Sequence, residues 1–198
     1  MRCSLKNLVP RSQRITLLDP KQQAELLMVA RKSVESAANR QSVVHPQVKN
    51  NYPLGCGAFV SLHRDDHQLR GCIGCLTSPL PLFELVQKMA NSAASSDPRF
   101  EPVQPAEVSS LTIEISVLEP PVLVTDENTL KIGVHGLVVE FGAKRGVLLP
   151  QVATNYAWDV PTFIAQTCHK ANVNVGDYRS GQANLYSFSA QVFSERSV

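Results

Sequence analysis

The sequence predicts an α+β protein: a largely antiparallel sheet built from hairpins, with about three helices packed on it and room for a small second lobe. Three observations carry this. Apolar runs at 57–62 and 69–74, and again at 136–141 and 146–149, are separated by short polar or glycine-containing stretches, as hairpin strands are. Three longer segments space apolar residues three and four apart, the helical period. The regular strand-helix-strand alternation of a doubly wound parallel sheet is missing. A length of 198 residues, with 43% hydrophobic and 18% charged, suits one domain over 19–195 behind a flexible basic tail over 1–18.

Each element has its own signal. Asp19, Pro20 and Gln22 form a helix start with a capping carboxylate, proline in the first turn and a glutamine three residues after the cap. Leu27, Ala30 and Val34 continue as one apolar stripe to about Ala38, with Arg31, Lys32 and Glu35 off it. The first hairpin turns through His63-Arg64-Asp65-Asp66-His67-Gln68. A second helix over 79–95 aligns Leu82, Val86, Met89, Ala90 and Ala93, and stops before Asp97-Pro98 because a residue preceding proline disfavours helical backbone. Leu111, Ile113, Ile115 and Val117 alternate with Thr112, Glu114 and Ser116, so one strand face is apolar and one polar, until Pro120-Pro121. The second hairpin turns at Gly142-Ala143-Lys144-Arg145. Asp159 then caps a third helix carrying Phe163, Ile164, Thr167, Cys168 and Ala171, with Gly176-Asp177 as the expected break. Tyr186, Phe188, Ala190 and Val192 alternate in a last strand.

Charge narrows the partners. Nineteen Lys and Arg against 17 Asp and Glu give +2, far below the basic excess of a dedicated nucleic-acid binder, and Lys144 with Arg145 reads as a solvated turn. No stretch approaches the roughly eighteen apolar residues of a membrane-spanning helix. Cys3, Cys56, Cys72, Cys75 and Cys168 are an odd set without a secretory leader, so reduced thiols in a cytoplasmic protein are expected. The tail carries Arg2, Lys6, Arg11 and Arg14 with no acid before Asp19, a faint likeness to a transit peptide that we read as a frayed tail, and Leu8-Val9-Pro10-Arg11-Ser12 resembles part of a protease-cleavage tag.

The chemistry-bearing residues gather around Cys72. Gly71 and Gly74 beside it allow close backbone approach, and Arg70, two residues away on a strand, is placed to share its face and lower the thiol pKa. The competing reading is a buried cysteine packing as a small hydrophobe. Cys72 and Cys75 form a Cys-x-x-Cys pair, but Cys56, Cys168 and His169 supply no zinc-finger spacing, and His63 and His67 around Asp65-Asp66 read as a solvated loop, so neither a metal nor a cofactor is expected. In Asp97-Pro98-Arg99-Phe100 the proline restrains the chain, so that Asp97 and Arg99 either pair or face a ligand carboxylate or phosphate. His135 is a candidate base or a structural histidine, and Gln151 a candidate hydrogen-bonding rim residue.

Leu69-Arg70-Gly71-Cys72-Ile73-Gly74 resembles the hallmark hexapeptide of the AMME chromosomal region family, known in prokaryotes as AmmeMemoRadiSam system protein A. Asp97-Pro98-Arg99-Phe100, His135-Gly136-Leu137, Arg145-Gly146-Val147-Leu148-Leu149-Pro150-Gln151-Val152 and Trp158 leading into Thr167-Cys168 follow in the family's order, over roughly 19–195. Cys75 departs from the pattern, which more typically has an aromatic or aliphatic residue there. The resemblance implies an α+β fold, no established molecular activity, and a shared pathway with Memo-like and radical-SAM proteins. The expected site is a cleft of Arg70, Gly71, Cys72, Gly74, Asp97, Arg99, His135 and Gln151. It would serve a ligand- or partner-binding accessory protein, or alternatively an enzyme using the Cys72 thiolate.

Overall fold

Helix α1 (Pro20–Ala38) begins at its capping signal: the Gln22 N–H donates to Asp19 Oδ1 at 2.9 Å and the Asp19 N–H to Gln22 Oε1 at 3.0 Å, a reciprocal capping box. The structure, a computed structural model, describes residues 18–42 and 52–196. Leu18, assigned to the tail from sequence, is buried, and its N–H donates to Gln191 Oε1 at 2.8 Å. The rest of the expected tail, with Cys3 and the tag-like segment, and His45 lie outside the described residues.

Internal packing divides the described residues into two compact units, one with 18–118 and 191–196, the other Glu119–Ala190. In the first, β1 (Gly57–His63) and β2 (Leu69–Cys75) form the expected hairpin, α2 (Leu82–Ser95) follows, and β3 (Thr112–Leu118) pairs with β1, giving the antiparallel order β2-β1-β3. Helix α2 starts later than its periodicity suggests because Pro81 occupies the N-cap. Val60 and Leu62 of β1 and Ile113 and Ile115 of β3 share one core with Leu26 and Ala30 of α1 and Leu82, Val86 and Ala90 of α2.

Helix α2 lies so close to β2 that a Cβ on Gly71 would sit 2.3 Å from the Ala93 carbonyl oxygen. Backbone cannot yield as a side-chain tip can. Gly71→Ala is therefore expected to cost about 1–3 kcal/mol, as overpacking does, read as a lower urea midpoint at unchanged slope. A midpoint equal to wild type would refute this account of the first hexapeptide glycine.

The second unit contains β4 (Val122–Leu123), β5 (His135–Phe141), β6 (Lys144–Leu148), α3 (Pro150–Asn155), α4 (Val160–Lys170), α5 (Val175–Arg179) and the first part of β7 (Asn184–Ser194). Strand β5 pairs antiparallel with both β6 and β7, and β4 pairs with β7. Leu137, Val139, Phe163, Ile164, Cys168 and Leu185 form its core. Phe141 pairs with Lys144, so the turn is only Gly142-Ala143, with Gly142 at φ +58°, and Lys144 and Arg145 belong to β6. The three predicted helices correspond to α1, α2 and α4, and α3 and α5 are short additions. Helix α4 ends at the left-handed Asn172 (φ +54°), and Gly176-Asp177, read from sequence as the break, lies inside α5.

Candidate functional site

The hairpin register sorts the hexapeptide residue by residue. Gly71 and Ile73 pair with Leu62 and Val60, whose side chains are in the core, whereas Cys72 pairs with Ser61 and Gly74 with Phe59 on the opposite face. Ser61 Oγ donates to Cys72 Sγ at 3.2 Å, and both residues are half-buried. A Cβ on Gly74 would fall 2.3 Å from the Phe59 ring, so this glycine lets the ring lie over the strand beside the thiol.

Strand β2 is the edge of its sheet, and at Cys72 that edge is closed by the Asp-Pro-Arg turn. The Cys72 N–H donates to Asp97 Oδ2 at 2.8 Å, and Arg99 Nη2 donates to the Cys72 carbonyl at 3.0 Å, so two side chains occupy the positions a further strand would take. Asp97 also accepts from Arg99 Nε at 3.0 Å, Arg99 Nη2 at 2.7 Å and the Arg99 backbone N–H at 3.1 Å. The Asp97 side chain is 2% exposed and that of Arg99 54%. The hydrogen bonds from Arg99 hold the Asp97 carboxyl well below the usual carboxylate range against the opposing effect of burial, with the Cys72 N–H adding in the same sense. Asp97 in turn pushes the Arg99 pKa up, and the Cys72 sulfur adds to that shift. Asp97 and Arg99 thus pair with each other, and the arginine also reaches the Cys72 carbonyl.

Arg70 is turned elsewhere. Leu62 pairs with Gly71 and His63 with Leu69, which leaves Arg70 as the extra residue of a β-bulge, and a bulge re-aims its side chain. The buried guanidinium forks onto Glu107 (Nε to Oε1 2.9 Å, Nη2 to Oε2 3.0 Å) and donates from Nη1 to the Glu101 carbonyl at 2.8 Å. Arg70 therefore fixes the segment after the Asp-Pro-Arg turn, and the Glu107 carboxyl is lowered first by this contact. Ser61 and Glu107 were not singled out from sequence. Counting hairpin pairs back from the loop would have found Ser61, but the bulge shifts that count by one.

Cys75 packs against the core and pairs with Ala58, so it faces away from Cys72, and burial pushes its thiol pKa up. Three residues along a strand span about 10 Å, beyond the roughly 7 Å Cα limit for a disulfide. Cys56 and Cys168 are buried. Among the described residues no three His, Cys, Asp or Glu side chains are grouped to hold a metal. His135, at the start of β5, and Gln151, in the first turn of α3, belong to the second unit. The Lys131 N–H donates to His135 Nδ1 at 3.1 Å, and burial followed by the Lys131 charge lowers the His135 pKa, keeping the ring in the neutral form that can accept.

The chain is thus an α+β protein whose edge-strand cysteine is gripped through its backbone by an Asp-Pro-Arg turn. The model of the AMMECR1 family matches residues 27–193, and the chain belongs to that family. It is 40% identical over 184 residues to Protein TK0174 of Thermococcus kodakarensis, covering 86% of this chain and 88% of that protein. Protein MJ0810 of Methanocaldococcus jannaschii is 40% identical over 158 residues, covering 76% and 77%. The crystal structure of the uncharacterized protein PH0010 from Pyrococcus horikoshii superposes with a TM-score of 0.78 at 35% identity, covering 86% of this chain and 90% of that one. Among the described residues no helix is long and apolar enough to cross a membrane.

Proposed function

We propose that the chain is a cytoplasmic accessory protein that binds the anionic group of a small molecule, a carboxylate or a phosphate, at Arg99 beside the Cys72 thiol. The observation that carries this reading is the division of the Arg99 guanidinium: Nε and Nη2 are engaged by Asp97 and the Cys72 carbonyl, Nη1 is engaged by neither, and the group lies 5.4 Å from the Phe100 ring centroid with more than half of the side chain exposed. A guanidinium held from behind is pre-organised, which lowers the ordering cost of binding. Because Asp97 offsets the charge, recognition relies on hydrogen-bond direction, and millimolar affinity for a bare anion is expected. The pathway with Memo-like and radical-SAM proteins, implied by the family resemblance, supplies the setting for this reading.

Titration of ¹⁵N-labelled protein with inorganic phosphate or acetate is expected to shift the Cys72 amide and Arg99 Nε signals saturably, with the shift weakened at least fivefold in Arg99→Lys, which keeps charge but lacks the fork. No saturable shift, or an equal one in the variant, would sink the reading. A second reading, an enzyme using the Cys72 thiolate, is favoured by the Ser61 Oγ hydrogen bond to the sulfur, since such a donor supports a thiolate. Selective alkylation of Cys72 over Cys75 by iodoacetamide near neutral pH is its test, and a Cys72 no faster than Cys75 would exclude it.

A further inference from the structure

One aromatic ring beside Cys72 serves neither core. Phe59 of β1 is half-buried, yet it belongs to neither of the two apolar cores formed by the described residues. Its register explains this. Ala58 and Val60 on either side of it point into the first core, so Phe59 takes the opposite face, among Ser61, His63, Cys72, Glu114 and Ser116. The ring is the large apolar group of an otherwise polar face. Its place is also kept clear for it, because it fills the space that a side chain at residue 74 would take and Gly74 leaves that space empty. Aromatic surface outside the cores, next to a few oriented polar groups, is the composition of a small-molecule site, where apolar contact holds the ligand and the polar groups direct it.

We infer that the anionic group held by Arg99 is carried by an aromatic ring that rests on the ring of Phe59 beside Cys72, so that the ligand is an aromatic carboxylate or an aryl phosphate. This rests on the Arg99 reading above and names the chemistry of its ligand. Two contacts put the guanidinium on the side of the sheet where the ring is. Arg99 Nη2 donates to the Cys72 carbonyl at 3.0 Å, and the guanidinium also interacts with the Cys72 sulfur, which shares the outer face with Phe59. The reach follows from the strand. Less than two residues, about 6 Å, separate the Cys72 carbonyl from Gly74, and the Phe59 ring covers Gly74. Guanidinium and ring are therefore at most about 12 Å apart, a gap filled by a carboxylate hydrogen-bonded at about 3 Å, a single ring, and a stacking separation of about 5 Å. A bare acetate or phosphate fills only the arginine end. Phe100, 5.4 Å from the guanidinium, also belongs to neither core and adds apolar surface beside Arg99.

The test titrates the ¹⁵N-labelled whole chain with acetate, phenylacetate, cyclohexylacetate and phenylacetamide, and reads affinities from the Cys72 amide and Arg99 Nε signals. Phenylacetate is expected to bind wild type at least fivefold more tightly than acetate, and at least twofold more tightly than cyclohexylacetate, which has similar bulk but no flat face. In Phe59→Leu, whose melting temperature reports folding, the ratio of phenylacetate to acetate affinity should fall below twofold. In wild type, with no substitution needed, nuclear Overhauser contacts between the phenyl protons and the Phe59 ring are expected at saturation. Equal binding of phenylacetate and acetate, no preference over cyclohexylacetate, a ratio that survives in folded Phe59→Leu, or absence of those contacts overturns the ring assignment while leaving Arg99 as an anion site. Phenylacetamide, which keeps the ring without the charge, should bind at least fivefold more weakly than phenylacetate. If it binds equally, or if neither the carboxylates nor phosphate bind at all, the Arg99 reading fails and this inference fails with it.

Discussion

Arg70→Ala is expected to lower unfolding free energy by about 3 kcal/mol, at the low end of the range for breaking a buried ion pair because Glu107 keeps a 31% exposed side chain. The arginine is 5% exposed and ties β2 to the chain after the Asp-Pro-Arg turn through Glu107 and the Glu101 carbonyl. Glu107 has a second duty, since one of its oxygens accepts the Gln104 N–H at 2.8 Å and caps the short 3-10 turn at Pro105–Ser110. Removing the guanidinium thus leaves a carboxylate and a carbonyl without their donor in partly desolvated surroundings. Arg70→Lys restores the charge without the planar fork, so only part of the loss should return. Urea melts of the three proteins check the ranking, and a loss below 1 kcal/mol in Arg70→Ala would show that the bulge fixes this segment without its side chain.

Arg99→Ala is expected to cost about 2 kcal/mol, well above the 0–1 kcal/mol of an exposed ion pair, although more than half of the arginine side chain is exposed. The cost comes from the other partner: Asp97 would remain buried and ionised without the guanidinium that favours its charge. In an Asp97→Asn background the same arginine deletion should therefore cost much less, and the double-mutant cycle reads the difference directly. Additivity within about 0.5 kcal/mol would refute the coupling. The effect also depends on pH. Asp97 binds its proton less readily in the folded protein than in the unfolded chain, so its contribution is complete above its ordinary pKa of 3.8 and is lost as pH falls below that value. The wild-type advantage over Arg99→Ala should accordingly shrink in melts taken progressively below about pH 4.

The main elements were legible because their signals are local. The Asp19-Gln22 box caps its helix within one turn, Ile113 and Ile115 alternate with Glu114 whatever lies above them, and the first two hairpin strands declare themselves by apolar runs around a polar loop. Short helices are less visible. Helix α3 spans 6 residues and α5 spans 5, too few for a period to emerge, and the glycine of Gly176-Asp177 reads as a breaker when nothing shows that Asn172 has already ended the preceding helix.

At the site, the residue types were readable and their directions were not. By itself the sequence determined that Cys72 lies in a glycine-flanked strand, that Asp97 and Arg99 are held close by Pro98, and that the chain resembles one family. Which face each side chain takes was decided by tertiary structure. Strand alternation placed Arg70 beside the thiol, yet one unpaired residue at the bulge sent it to Glu107, while Arg99, distant in sequence, came to the Cys72 carbonyl because an open sheet edge presented unpaired backbone groups there. Glu114 joined Ser61 and Cys72 only through the pairing of β1 with β3, a register set by which residues bury against α1 and α2. Register is a property of that whole packed interface, and no short stretch of sequence contains it.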